Sequence, residues 1–183
     1  PGSSEKAYVL QELARVVVMA EDFDRGIEMA FESLRLAEEL NLPSARARNL
    51  NTIGVARVAN GDRRGLQDLE EAVEIAAAAH SHEEIAALAN LTWMNVVLGD
   101  LRRARPLHDR SLELARRLGV WGFIRWQEAE EVLHCYWDGR WDEAVAMAEH
   151  YLREIESSGA GHYMEGMCRA LVAAIGVARG DEA

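Results

Sequence analysis

Cysteine is almost missing: Cys135 and Cys168 are the only two in 183 residues, and no CxxC occurs. That excludes a disulfide framework or a zinc ribbon and fits a reducing compartment. Proline occurs only at positions 1, 43 and 106, and β-branched runs are scarce beside abundant alanine, which favours helix over strand. No apolar stretch is long; Ala170–Ala178 has about half the ~20 residues that a membrane helix needs. No signal-like segment opens the chain, so a soluble, cytoplasmic protein without membrane contact is expected. Lysine is nearly missing as well: 19 of the 20 basic residues are Arg. Acidic residues outnumber them, giving a net charge of −11 and a pI near 5.0, a field that repels phosphate backbones and disfavours direct nucleic-acid binding.

Catalytic signatures are missing too. Gly61-Asp62-Arg63-Arg64-Gly65 is not followed by Gly-Lys-Ser/Thr and is no P-loop, and no GxSxG occurs. His82-Glu83-Glu84-Ile85-Ala86 departs from a zinc-binding HExxH at Ala86, so helix capping is its expected role. His134, Cys135, His162 and Cys168 are expected to be helix-surface imidazoles and buried thiols, since neighbours in a helix diverge by about 100°. Glu128, Glu130 and Glu131 read as a solvated face. Arg102, Arg103, Arg105, Arg110, Arg116 and Arg117 read as another, paired with acids such as Asp109 and Glu113. No catalytic residue, metal or cofactor is expected: the chain reads as a non-enzyme.

What the chain does contain is a repeated turn. Gly99-Asp100-Leu101-Arg102-Arg103-Ala104 has variants at Glu21–Gly26, Gly61–Gly65 and Gly139–Ala144, and another begins at Gly180. The closing small residues Gly26, Gly65, Ala104 and Ala144 are spaced by 39, 39 and 40. A fixed period in that range marks stacked helical repeats. Each unit divides into an A and a B helix: 5–20 and 23–40, 44–60 and 63–79, 82–98 and 101–118, 121–137 and 141–157, with a last A helix at 162–179. Pro43 suits a first helical turn, Ser81 with Glu84 forms a capping box, and Gly119 suits a left-handed cap. Gly65, Leu69 and Ala72, then Ala104, His108 and Ser111, then Ala144, Ala148 and Tyr151 recur at i, i+4, i+7 and share one helical face. Their small first members, with Gly54 and Thr92 on the A helices, allow backbones to approach closely.

Asn51-Thr52-Ile53-Gly54, Asn90-Leu91-Thr92, the Gly-Asp turn and the small-x-x-x-large-x-x-small spacing resemble tetratricopeptide repeats. Each unit is about five residues longer than the usual ~34. In that respect it is similar to the lengthened repeats of large ATP-binding LuxR-type regulators of the maltose-operon activator kind, and to arrays in cyclase-linked signalling ATPases. Repeat 2 lacks one turn residue, and repeat 4 has Val132 where a small residue is usual, so its helix packing is expected to shift. The resemblance implies an all-α, right-handed superhelix of antiparallel helix pairs, about nine helices in one domain over 5–183. The repeats fall at about 5–42, 43–80, 81–119, 120–159 and, in part, 160–183, and residues 1–4 read as a cloning remnant. It also implies recognition of a protein or peptide within a larger bacterial regulator, with a small molecule such as a sugar as the alternative ligand. If the register holds, Tyr8, Gln11, Arg15, Asn51, Val55, Trp93, Val97, Trp126, Leu133 and Trp137 face or rim the concave groove. Whether Trp93, Trp126 and Trp137 belong to groove or core stays open, whereas Trp141, in register with Phe23 and Leu101, belongs to the core. The last helix is apolar nearly all round, which implies an excised chain and self-association through 162–179.

Overall fold

The computed structural model describes residues 2–159 and 161–180. Pro1 of the presumptive remnant, Ala160 and the 181–183 part of the fifth turn lie outside the described residues. Among the described residues there are nine helices and no strand: α1 (Ser4–Met19), α2 (Phe23–Glu39), α3 (Pro43–Ala59), α4 (Gly65–Ala78), α5 (Glu83–Val97), α6 (Leu101–Leu118), α7 (Trp121–Trp137), α8 (Trp141–Ser158) and α9 (Glu165–Arg179). The odd-numbered helices are the A helices and the even-numbered the B helices. The chain divides into two compact units, Pro1–Ser111 and Leu112–Ala183, with the division inside α6.

Helix ends follow one rule throughout. A left-handed residue stands just past each of the nine helices: Glu21, Asn41, Gly61, His80, Gly99, Gly119, Gly139, Gly159 and Gly180, with φ between 50° and 86°. At α3 the Gly61 amide donates to Val58 O (3.0 Å) and the Asp62 amide to Arg57 O (2.8 Å), a Schellman pair that satisfies orphan carbonyls. The same pair closes α1 at Glu21 and Asp22, α4 at His80 and Ser81, and α7 at Gly139 and Arg140. Glycine adopts this conformation without steric penalty; glutamate and histidine do not. His80 is exposed, so His80→Gly should raise the urea unfolding free energy by about 0.5–1 kcal/mol. His80→Val, β-branched in the same conformation, should lower it.

Two helix starts, those of α4 and α9, differ from the sequence reading by more than one residue. α4 begins at Gly65, not 63, because Asp62 Oδ1 accepts from the Arg64 amide (3.0 Å) and holds 63–64 in a turn. Ser81 does not form the expected capping box: its Oγ accepts from the Glu83 amide (3.3 Å), two residues on instead of three. α9 starts at Glu165, leaving His162 and Tyr163 in the connection from α8. Ser3, read as part of a remnant, accepts from the Lys6 amide (3.2 Å) and caps α1.

In the first unit α2 packs against α1 and α3, α4 packs against α3 and α5, and α1, α3 and α5 lie side by side. The small-residue face is buried as its spacing requires: Leu69, Ala72, Ala104, His108 and Ser111 have no exposed surface. At Gly54 and Gly65 the backbones nearly touch. A Cβ on Gly65 would lie 2.3 Å from Gly54 O, and one on Gly54 would lie 2.7 Å from Gly65 O. A buried polar relay ties the first three helices together: Asn49 Nδ2 donates to Ser33 Oγ (2.9 Å) and Ala45 O (2.9 Å), and Ser33 Oγ donates to Ala7 O (2.8 Å).

In the second unit α7, α8 and α9 pack on one another. Val132 is buried, and α7 still pairs with α8 through Ala144 and Ala148, both without exposed surface. Met164, Cys168 and Ile175 bury one side of α9, while Ala170, Ala173, Ala174 and Val177 on the other side are exposed.

Candidate partner-binding surface

The A helices carry the residues that the repeat register assigns to a groove. In the first unit α2 and α4 pack on these helices, and Tyr8, Arg15 and Val97 remain exposed on α1 and α5. Tyr8 is 45% exposed, and Arg15 is exposed, held by Glu12 (3.1 Å) and Met19 Sδ (3.0 Å). Gln11 is buried, its Nε2 reaching Glu12 at 3.4 Å. Asn51 and Val55 are half-buried on α3, and Asn51 Oδ1 accepts from Asn90 Nδ2 of α5 (3.0 Å). Trp93 is half-buried and Val97 exposed. The structure brings these residues onto neighbouring helices, apart from Gln11, which faces inward.

Sequence reasoning missed Arg48. Its guanidinium bridges Glu12 of α1 (2.7 Å) and Glu83 of α5 (2.9 Å) across α3. Partial burial pushes the Glu12 carboxyl up, but Arg15 and Arg48 more than offset that and hold it below the ordinary carboxylate range. The Glu83 of the HExxH-like stretch is thus a structural ion-pair partner of Arg48, with His82 Nε2 also 3.3 Å away.

In the second unit the aromatic side chains form a chain of contacts. Trp126 stacks on Phe123 (6.0 Å) and meets Tyr163 edge-on (5.6 Å). Tyr163 stacks on His162 (4.5 Å), and His162 Nδ1 lies 2.8 Å from Tyr151 Oη. Burial, then the nearby Arg125 charge, lowers the His162 pKa and favours the neutral ring beside the Tyr151 hydroxyl. Trp126 is half-buried with its indole N–H unpaired, Leu133 is half-buried, and Trp137 is 58% exposed. Trp141, which the register assigned to the core, is only half-buried: its Nε1 donates to Tyr136 O (3.2 Å), and the Arg179 guanidinium lies 6.0 Å from its ring.

Three expectations about polar groups need correction or refinement. Glu130 is not part of a solvated face but fully buried, and His134 is buried instead of lying on the helix surface. Both share one side of α7 with Ile124 and Gln127, spaced at three and four residues, and that side turns inward. Glu128 remains partly exposed. Cys135 and Cys168 are buried thiols outside any disulfide, and burial pushes Cys168 up to about 11, far from thiolate chemistry at neutral pH. The basic face of α6 is solvated and paired: Arg105 with Asp109 (3.4 Å), Arg110 with Glu84 (2.5 Å), Arg116 with Glu128 (3.6 Å), and Arg103 with Glu70. Among the described residues no helix is long and apolar enough to cross a membrane.

Where the start of α7 lies beside the end of α8, an open depression of about 400 Å³ is lined by Trp121, Arg125, Glu128, Glu154, Ser157 and Ser158. Trp121 is 73% exposed there. Its polar lining and open form suit a side chain presented by a partner more than an enclosed small ligand.

No family model matches the sequence, and no curated protein matches it. Solved structures do. BtubC (BKLC) from P. vanneervenii superposes with a TM-score of 0.75 at 20% identity, over 94% of this chain and 72% of that one. A kinesin-light-chain-type protein from Podosopora anserina with nearly identical TPR-like repeats gives 0.68 at 16% identity, over 96% and 87%. The apo form of RapI gives 0.59 at 12%, over 86% and 63%. At such identities the likeness concerns fold: this is an all-α chain of tetratricopeptide-like helix pairs.

Proposed function

We propose that the chain is a protein- or peptide-binding helical-repeat module, part of a larger bacterial signalling or transcription regulator acting in the cytoplasm. The reading is carried by the aromatic side chains on the A helices, half-buried at Trp93 and Trp126 and exposed at Trp137. Aromatic anchors set partly into a surface are the side chains that dominate binding energies. Within the first unit Tyr8, Arg15, Asn51, Val55 and Val97 are the further contact residues along with Trp93, and within the second Leu133 is, along with Trp126 and Trp137. Gln11, being buried, acts from behind Glu12.

Selection of a displayed random-peptide library on the full chain tests this. Binders should emerge, and Trp126→Ala should weaken them tenfold or more, while Trp126→Phe, which keeps the stack, should lose less. A library that yields no binder would overturn the proposal. Binding of a maltooligosaccharide in its place, measured by calorimetry and lost in Trp126→Ala, would revive the small-molecule sensor.

A further inference from the structure

The depression at the α7–α8 end has a chemistry of its own. Trp121, Arg125 and Glu128 follow one another at i, i+4, i+7 and make one wall from a single stripe of α7; Glu154, Ser157 and Ser158 of the last turns of α8 make the other. The α8 wall offers acceptors. Ser157 Oγ donates its proton to Glu154 O (2.9 Å) and Ser158 Oγ donates to Ile155 O (3.0 Å), so a ligand meets oxygen lone pairs there, not O–H groups. The C-terminal end of α8 adds the negative end of a helix dipole. The Glu128 and Glu154 carboxylates are both partly exposed, Glu128 lying 3.6 Å from Arg116 and Glu154 3.4 Å from His150. Trp121 contributes a solvent-facing aromatic ring. Acceptors, carboxylates, a negative dipole end and an exposed indole together suit a cation. Arg125 is the cation lining the depression, and its charge also acts on His162 and Tyr151.

We propose that this depression receives a lysine or arginine side chain of a basic peptide partner, with Trp121 as its cation–π wall and Glu128 and Glu154 as its counter-charges. The proposal rests on the peptide-binding reading above and adds the partner's chemistry. The net charge of −11 steers a basic segment toward the chain.

Two labelled peptides of matched apolar content, one lysine-rich and one glutamate-rich, test it by fluorescence anisotropy on the full chain. The lysine-rich peptide should bind at least tenfold tighter and weaken steeply with salt. Trp121→Ala and the Glu128→Gln/Glu154→Gln pair should each reduce its affinity tenfold or more, whereas Arg125→Gln should tighten it. All four side chains lie at the surface, so the variants keep the fold, which circular dichroism checks. Preference for the glutamate-rich peptide with loss in Arg125→Gln would overturn the proposal. So would lysine-rich binding indifferent to Trp121→Ala and to the paired glutamine substitutions, or no binding of either peptide. In each of those cases library binders that depend on Trp126 would leave the peptide-binding reading standing, while an empty library would remove both.

Discussion

Gly65→Leu should destabilise the first unit by about 3 kcal/mol. The expected fall in melting temperature is roughly 6–12 °C for a chain of this size. The reason is the place where α3 and α4 meet: a Cβ on Gly65 would come within 2.3 Å of Gly54 O and 2.9 Å of both Arg57 Cβ and Val58 Cγ2. The first of these is backbone, which cannot swing aside like a side-chain end, so the helices must separate and uncover Leu69, which has no exposed surface. Gly54→Ala should act in the same direction through the reciprocal contact with Gly65 O. The two changes should combine to less than their sum, because they break one approach. Gly166→Ala is the control: nothing lies within 4 Å of its added methyl, and inside α9 alanine should gain about 0.5–1 kcal/mol over glycine. Thermal melts followed by helical circular dichroism decide it, and a Gly65→Leu chain melting within about 2 °C of the parent would refute the account of this contact.

A larger loss, with a pH signature, is expected from Asn49→Asp. Asn49 has no exposed surface, and its amide group donates to Ser33 Oγ and Ala45 O. Ser33 has already committed its proton to Ala7 O, so an ionised carboxylate at 49 would face acceptors where it needs donors. An uncompensated buried charge costs about 3–5 kcal/mol. The new carboxyl's pKa should therefore be raised in the folded state above its unfolded value. Its penalty is then absent below the unfolded pKa of about 3.9 and grows as pH rises through the folded one. Urea titrations of parent and variant at neutral and mildly acidic pH should show the gap closing as pH falls. A gap of equal size at both would mean that the loss is steric and that the relay has been misread.

The architecture was legible because it is written repeatedly. The Gly-Asp turns and the small residues at 26, 65, 104 and 144 fix helix pairs by periodicity, and all nine helices fall where the spacing puts them, give or take three residues. What one sequence conceals is how particular polar side chains orient. Glu21 and His80 take the left-handed conformation that glycine takes elsewhere, since the Schellman hydrogen bonds are made by backbone alone. Glu130 and His134 look hydrophilic yet turn inward, because their helical phase places them with Ile124 and Gln127, and composition gives no warning of that. The residues assigned to a groove came from register, which gives a helix face but not the depth of a side chain; hence Gln11 is buried while Tyr8, three residues earlier, is open. The depression at Trp121 joins residues about thirty positions apart, and no local pattern announces it.

Arg48 sits on the middle of three A helices and grips a carboxylate on each side. Adjacent repeats in such arrays communicate only through shared borders, so end repeats ordinarily fray on their own. One guanidinium that spans two borders at once makes the first and third repeats feel each other's loss. The first unit is thereby expected to lose its A-helix surface more nearly as a block than an array without such a bridge.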